Sequence, residues 1–226
     1  RVCDATSIPW IRIMYCYPDK ITDELIDEVK NNPRVLKYLD LPVQHISDRV
    51  LAAMNRHGNS ALIRDVIGKF RREIPDIVIR TTAIVGFPGE TEEDFNELCE
   101  FVRDTEFDRF GAFTYSREEG TPAFDFDNQI DEQVKQDRYD ELMQLQLEIH
   151  NRLNRKKIGR TVKVLCEGYD TAAETWYGRS EADAPDVDGR VFFSSDQKLS
   201  EGQFVDVEIT DAIDYDLYGK AVNSEE

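Results

Sequence analysis

The stretch IVIRTTAIVGFPGETEED, residues 77–94, predicts a buried strand, a tight turn and the start of a helix. β-branched side chains run almost without interruption through the strand, as in a parallel strand that is covered on both faces. A Gly-Phe-Pro-Gly turn follows, and Thr91 with Asp94 three residues later is a helix N-cap signal. Arg80 breaks the apolar run, and because a buried guanidinium needs an anionic partner, it should point inward toward one.

The same order of strand and helix recurs on both sides of this stretch. Strands that alternate with helices form βα units around a parallel sheet, and right-handed crossovers curl such units toward a barrel. We therefore expect an α/β fold, a partial parallel barrel, in the first part of the chain. The predicted strands are residues 10–17, 38–44, 77–85 and 109–116, and the predicted helices are residues 22–31, 47–73 with a break near Gly58, and 91–105.

Polar positions in these strands share one face, because successive side chains of a strand point to opposite faces. A polar face inside a curved sheet usually holds a ligand at the carboxyl ends of the strands. The alternative is internal salt bridging without a ligand, for instance between Arg80 and Asp40. The side chains predicted to gather there are Arg12, Asp40, Gln44, Arg80 and Thr82.

The three histidines have less specific surroundings. His45 follows a strand end that faces the predicted lumen, where it would either touch a ligand or serve as a hydrogen-bonded structural group. His57 lies in a helix break and His150 in a charged helix, so we expect solvent to surround both.

The chain changes character at residues 131–157, a charged, glutamine-rich helix whose apolar positions recur at helical spacing. Beyond Gly159, about five short β runs suggest a small barrel that binds nucleic acid or protein through one face. We therefore predict a domain of residues 1–157 that includes the connecting helix, and a second domain of residues 158–226. The connecting helix should pack one face, which carries Leu142, Leu145, Ile149 and Leu153.

Charge and composition exclude several classes of protein. A net charge of −18 over 226 residues argues against general affinity for RNA or DNA, whose phosphates need a basic face. The alternative is that acidity only keeps the protein in solution. The sequence has no run of about 18 apolar residues and no basic, apolar leader, so we expect no membrane span and a cytoplasmic protein. The four cysteines lie far apart, which predicts free thiols rather than disulfide bonds or a zinc site.

Five runs of sequence follow one another in a characteristic order: WIRIMYCYP (10–18), DLPVQHISDRVLAAMNR (40–56), IRTTAIVGFPGETEEDF (79–95), FTYSREEGTPA (113–123) and GRSEADAPDVDG (178–189). The first four resemble the radical S-adenosylmethionine methylthiotransferases, and the last resembles a TRAM domain. The pair Gln44 and His45, together with residues 80–82, favours the branch of this family that modifies an aspartate of ribosomal protein S-twelve. The resemblance covers nearly the whole chain.

This resemblance implies a partial parallel (β/α) radical S-adenosylmethionine barrel followed by a small all-β, OB-like TRAM barrel. It implies S-adenosylmethionine and two [4Fe–4S] clusters as cofactors. A reduced cluster cleaves S-adenosylmethionine, the resulting radical abstracts hydrogen from the aspartate β-carbon, and a methylthio group replaces it. Because aliphatic C–H bonds resist acid–base attack, the cofactor carries the hard step. The candidate cofactor-binding residues are Gln44, Arg80, Thr82, Gly86 and Gly89. The two glycines would let the backbone approach the cofactor closely.

The family holds its radical cluster with a C-x-x-x-C-x-x-C motif, which this sequence lacks. We therefore assign no metal ligand in this chain, expect it to be a carboxyl-terminal fragment, and expect it to be inactive alone. Two alternatives to the ribosomal-protein enzyme stay open. One is a tRNA methylthiotransferase of the MiaB kind, and the other is a catalytically dead ribosome-binding module.

The partner that the resemblance implies is ribosomal protein S-twelve or the small ribosomal subunit. Residues 160–222 carry six basic and fourteen acidic side chains, a net charge of −8 that suits a basic protein and disfavours tRNA and DNA. The alternative is that these carboxylates form a solvated surface. The candidate substrate contacts are Asp183, Asp186 and Asp188, in the loop before Gly189.

Overall fold

The computed structural model describes residues 1–222 of the chain. The chain divides into two compact units, Arg1–Gln146 and Leu147–Glu226. The last four residues of the predicted second domain, 223–226, lie outside the described residues. The predicted domain boundary near Ile158 stays a prediction.

The first unit is built on a four-stranded parallel sheet whose strands lie side by side in chain order. This architecture confirms the predicted α/β class. The strands are β1 (Ile11–Ile13), β2 (Val35–Asp40), β3 (Val78–Val85) and β4 (Arg109–Thr114). The helices are α1 (Val2–Ala5), α2 (Asp23–Asn31), α3 (Asp48–Ala53), α4 (Ser60–Glu73) and α5 (Glu92–Thr105).

The two faces of strand β3 differ in burial. Ile79, Ala83 and Val85 are completely buried on one face of the strand. Arg80 and Ile84 alternate with them and are only half-buried. The alternation expected from the sequence is therefore present in β3 and sets which side chains reach the open face of the sheet.

Three strands end earlier than the sequence predicts, and β4 does so by two residues, at Thr114. β1 stops at Ile13, because Tyr15 takes a left-handed backbone conformation with φ of 60° and its side chain is 74% exposed. β2 stops at Asp40, two residues before Pro42, which has no backbone N–H to donate to a neighbouring strand. The chain returns to β3 at Gln44 in an isolated bridge to Ala83.

The second unit contains a closed five-stranded barrel, which confirms the small β barrel predicted from the sequence. Its interior is apolar and includes Val164, Phe193 and Val207. Of the helices in residues 1–222, none is long and apolar enough to cross a membrane. The barrel strands are β5 (Thr161–Asp170), β6 (Thr175–Ser180), β7 (Val191–Ser194), β8 (Phe204–Ile213) and β9 (Asp216–Val222). Around the barrel they follow the order β5-β6-β7-β9-β8.

The helix before the barrel, α6 (Glu132–Arg155), buries more polar side chains than its apolar spacing predicts. Leu142 and Ile149 are buried as expected, but Leu145 and Leu153 are only half-buried. The expectation that His150 is solvated was wrong, because its side chain is 1% exposed and lies 2.7 Å from the Asn154 amide. The other buried polar residues of this helix are Lys135, Arg138, Gln146 and Asn154.

Candidate functional site

A cavity of about 860 Å³ opens at the carboxyl ends of the parallel strands in the first unit. Its walls come from the segment after β2, the end of α3, the strand β3 and the loops that follow β3 and β4. Parallel sheets bind ligands at this edge, so the cavity occupies the expected place for a substrate or cofactor. Its polar lining includes Gln44, Arg56, Thr82, Thr114 and Ser116, and its apolar lining includes Ile84, Phe87, Phe113 and Pro122.

Gln44 is fixed to β3 by its backbone. Its N–H donates to the Thr82 carbonyl at 2.9 Å, and its carbonyl accepts from the Ile84 N–H at 2.7 Å. Its φ is 69°, a conformation that costs free energy for any residue other than glycine and persists only where the surroundings enforce it. The bridge to β3 therefore holds Gln44 and Thr82 side by side on the cavity wall, as the sequence predicted for these two residues.

Arg56 is a cationic group of the cavity that the sequence did not single out. Its Nη2 donates to the Pro42 carbonyl at 2.6 Å, and its guanidinium lies 4.9 Å from the ring centroid of Tyr17. Both of these contacts are with neutral groups, which leaves the positive charge available for an anionic ligand. The sequence offers little signal for it, because Arg56 lies in an irregular segment after α3 where no periodicity applies.

Arg80 forms the internal ion pair that the sequence left open as an alternative. Its Nη1 lies 3.0 Å from Oδ1 of Asp40, whose side chain is completely buried. The other carboxylate oxygen of Asp40 accepts from the Tyr15 N–H at 2.9 Å. Neither Arg80 nor Asp40 lines the cavity, and Arg12 instead stacks over the ring of Tyr38 at 4.1 Å. A cofactor contact by Arg80 stays a prediction.

The two glycines of the turn after β3 differ in their surroundings. Gly86 has a φ of 73°, and a Cβ at this position would overlap with Cγ of the buried Lys135. Gly89 has a φ of 81°, and the atom nearest to its Cβ position is Nη1 of Arg49 at 3.8 Å. Close packing against Lys135 explains the glycine at position 86, and approach to a cofactor stays a prediction for both.

A buried polar network ties this turn to the segment after β2. Glu90, 3% exposed, accepts from the Gly86 N–H at 2.9 Å and from Nη1 of Arg138 at 2.7 Å. His45 is completely buried, accepts from the Ser47 N–H at 3.0 Å through Nδ1, and places Nε2 3.5 Å from Glu90. Of the two roles that the sequence allowed for His45, the structure shows the hydrogen-bonded structural one.

Asp94 continues the network and caps α5. It accepts from Oγ of Ser47 at 2.6 Å and from the N–H of Thr91 at 2.8 Å, and it is paired with Arg49. Burial alone would raise the pKa of Asp94, but the hydrogen bonds from Ser47, Thr91 and Arg49 outweigh burial and lower this pKa to about 2. Thr91 and Asp94 form a complete capping box, which confirms the N-cap predicted from the sequence.

The three aspartates of the barrel loop have different surroundings. Asp183 is 2% exposed, and its Oδ2 accepts from both the backbone N–H and the hydroxyl of Ser180. Asp188 accepts from the Ala184 N–H at 2.8 Å, and Asp186 is exposed with a φ of 65°. Asp183 therefore organises the loop from inside, while Asp186 presents its carboxylate to solvent.

The cysteines of the described chain do not form a cluster site. All four are free thiols, and burial raises the pKa of Cys16 and Cys166 and raises that of Cys99 to about 12. Within residues 1–222, no group of three or more His, Cys, Asp or Glu side chains could hold a metal ion. The side chains described here therefore do not fit an iron–sulfur cluster, which needs converging thiolates.

Two family models match the chain, one in its first part and one in the β barrel. Residues 2–102 match the radical SAM superfamily, where SAM is S-adenosylmethionine, and residues 158–222 match the TRAM domain. Among solved structures, coproporphyrinogen III oxidase (HemN) from Escherichia coli, described as a radical SAM enzyme, superposes with a TM-score of 0.51. It is 21% identical, and the match covers 62% of this chain and 32% of that one, which supports the fold alone.

Curated relatives match almost the whole chain. The ribosomal protein uS12 methylthiotransferase RimO of Acetivibrio thermocellus is 50% identical over 223 residues, 99% of this chain and 49% of the relative. The protein of the same name from Clostridium acetobutylicum is 48% identical over 217 residues, 96% of this chain and 48% of the relative. The chain spans about half the length of the curated relatives it matches. With a radical SAM segment, a TRAM domain and this identity over nearly its full length, the chain belongs to the radical S-adenosylmethionine methylthiotransferase family.

Proposed function

We propose that this chain carries the cofactor-binding sheet and the TRAM barrel of an enzyme that methylthiolates the β-carbon of an aspartate in ribosomal protein uS12. The observation that carries the proposal is the identity of 50% over 223 residues with a uS12 methylthiotransferase. A cavity at the carboxyl edge of the sheet supplies the site that such an enzyme needs.

The cavity lining fits S-adenosylmethionine, which combines a carboxylate, an ammonium group, a ribose and a flat adenine. Gln44 and Thr82 offer an amide and a hydroxyl for its polar groups, and Ile84 and Phe113 offer an apolar wall for the adenine. Arg56 supplies the positive charge that would hold the carboxylate. When bound beside a reduced cluster, S-adenosylmethionine supplies the radical chemistry that breaks an aliphatic C–H bond. Arg80, Gly86 and Gly89 stay candidates for further contacts.

The proposal assigns the two [4Fe–4S] clusters to residues outside those described here. Converging thiolates hold such clusters, and the four cysteines of this chain are separate free thiols. The role of this chain is then to bind and orient the cofactor and the substrate.

We propose that the substrate is held as a basic protein by the acidic barrel. The net charge of −8 over residues 160–222 opposes the phosphates of tRNA and attracts a lysine- and arginine-rich protein. Asp186 and Asp188 can contribute to this attraction from the loop surface, whereas Asp183 acts by shaping the loop.

Substrate choice tests the proposal directly. The full-length protein, reduced under anaerobic conditions with S-adenosylmethionine, is offered uS12 and bulk tRNA in the same reaction. We expect mass spectrometry to find a methylthio group on one aspartate of uS12 and none on tRNA. Modified tRNA with unmodified uS12 would replace the proposal with a tRNA methylthiotransferase. Modification of neither substrate by a protein that still cleaves S-adenosylmethionine would also overturn it.

A further inference from the structure

An aromatic row crosses the outer surface of the TRAM barrel. It consists of Tyr177 on β6, Phe192 on β7 and Tyr218 on β9, which are direct neighbours in the strand register. The ring centroids of Tyr177 and Phe192 are 6.5 Å apart, and those of Phe192 and Tyr218 are 5.5 Å apart with an angle of 21° between the rings. All three side chains are half-buried, and the residues that alternate with them on β7 and β9, Val191, Phe193 and Leu217, are core residues, so the row faces outward.

Tyr177, at one end of the row, packs against the barrel over a glycine. Tyr177 extends over Gly168 of β5, where an added Cβ would lie only 2.7 Å from the Tyr177 hydroxyl oxygen. A side chain at position 168 would therefore lift the ring off the surface. The aromatic pairs stabilise the sheet as cross-strand neighbours, but burial in the core does not account for their position.

The row already accommodates a guanidinium group. The exposed Arg190 places its guanidinium carbon 5.0 Å from the ring centroid of Tyr177, within the distance of a cation–π contact. At the other end, the register places the exposed Asp211 of β8 directly opposite Tyr218. The row thus combines flat aromatic faces with a carboxylate beside them, which are the two groups that bind arginine well.

We propose that this aromatic row docks an arginine-bearing segment of a basic protein partner. The charge of the barrel selects this occupant. The net charge of −8 over residues 160–222 repels the phosphates of RNA, and it equally repels a second copy of the same barrel. Arginine fits better than lysine, because its planar guanidinium stacks on an aromatic face and is less strongly hydrated. The proposal deepens the proposed function, and rests on it only for the basic character of the partner.

Binding to the 226-residue chain tests the proposal without any cofactor. The probes are a short labelled peptide of alternating arginine and glycine, the matched lysine peptide and a single-stranded RNA, followed by fluorescence anisotropy. We expect the arginine peptide to bind most tightly. Tyr218→Leu should weaken it about two- to fivefold, as loss of one exposed cation–π contact does, and Tyr218→Phe should restore it.

Two further variants keep the test decisive. Tyr169→Leu removes an aromatic side chain of the same barrel, 45% exposed and outside the row, and should leave binding unchanged. Asp211→Lys reverses an exposed charge next to the row, so it should weaken binding even if Tyr218→Leu fails to fold. Equal binding of the lysine and arginine peptides, or unchanged binding to Tyr218→Leu and Asp211→Lys, would overturn the proposal.

The RNA arm and the activity assay separate the remaining outcomes. RNA that binds more tightly than the peptide and is lost with Tyr218→Leu would make the row a base-stacking surface and overturn the proposal. If the row variants bind the peptide normally while the full-length protein still modifies uS12, docking on the row is wrong and the proposed function stands. If uS12 is not modified but the row binds the arginine peptide, the proposed function is wrong and docking on the row stands.

Discussion

Two arginines of the first unit lie in contrasting surroundings, which give them different roles. Arg80 is paired at 3.0 Å with a completely buried carboxylate, whereas Arg56 contacts a backbone carbonyl and a tyrosine ring at the cavity. A buried charge that loses its partner is costly, while a cation beside neutral groups is available to a ligand. Arg80 is therefore expected to affect stability first, and Arg56 to affect ligand affinity first.

Removal of Arg80 leaves the Asp40 carboxylate buried without this ion pair. Arg80→Ala should lower the free energy of unfolding by about 3 kcal/mol, measured by urea denaturation. The double variant Arg80→Ala with Asp40→Ala is the control, and it should recover part of the loss because no charge stays buried. Unchanged unfolding together with weaker S-adenosylmethionine binding would show instead that Arg80 contacts the cofactor.

Arg56→Gln should weaken S-adenosylmethionine binding about tenfold or more, because the substitution removes a charge-assisted hydrogen bond to a carboxylate. Isothermal titration calorimetry of the reduced full-length protein measures this affinity. The matched control is Arg72→Gln, an exposed arginine in the last turn of α4, which should bind normally. Equal affinities for the two variants would remove Arg56 from the proposed site.

Five side chains were predicted from strand alternation to gather at the site. Gln44 and Thr82 line the cavity, whereas Arg12, Asp40 and Arg80 do not. Strand alternation placed Gln44 and Thr82 on one wall, although a left-handed backbone at Gln44 replaced the extended one that was expected. Arg56 follows a helix end, and Tyr15 leaves its strand because its N–H binds the Asp40 side chain. Neither position follows from a repeating pattern, since long-range contacts determine both.

The turn between β3 and α5 is the element that holds the cavity edge in place. Its backbone and side chains hydrogen-bond to residues before, within and after it, through the Glu90 carboxylate and the Asp94 capping box. The sequence predicted the turn and the cap from local signals alone. The packing of Lys135 onto Gly86 could not be predicted, because a lysine within a charged helix is usually solvated.

Gly86→Ala should lower the free energy of unfolding by about 2 to 3 kcal/mol, measured by urea denaturation. About 1 kcal/mol comes from the left-handed backbone, and the rest from displacement of Lys135. Gly120→Ala is the matched control, since Gly120 has a φ of 82° and open space around its Cβ position. Equal losses in the two variants would contradict a packing role for Gly86.

Asp94 should make the stability of the first unit depend on pH. Its pKa of about 2 lies below the ordinary value of 3.8, so its stabilising effect is fully present above pH 4 and is lost as pH falls through 2. Asp94→Asn should therefore cost about 2 kcal/mol at pH 7 and almost nothing near pH 2. Urea denaturation between pH 2 and pH 7 measures this loss of unfolding free energy. The control is Asp65→Asn, at an exposed position. A constant loss at every pH would contradict the assigned hydrogen bonds.

At the scale of the whole molecule, hydrophobic periodicity predicts the fold, whereas net charge predicts the kind of partner. Hydrophobic periodicity predicted a parallel sheet followed by a small barrel, because both depend on which faces are buried. It could not predict the polar buried side of α6, where Gln146 donates to the Phe107 carbonyl at 2.9 Å. The acidity of the barrel is a property of composition, and it is the feature that favours a basic protein over a nucleic acid.

The mass of uS12 in cells tests the central claim most directly. We expect uS12 from a strain that lacks the gene for this protein to be lighter than wild-type uS12 by the mass that one methylthio group adds. The full-length wild-type gene should restore the higher mass. The Arg56→Gln variant should restore little of it, while Arg72→Gln should restore it fully. A uS12 mass that is the same with and without the gene would contradict the account.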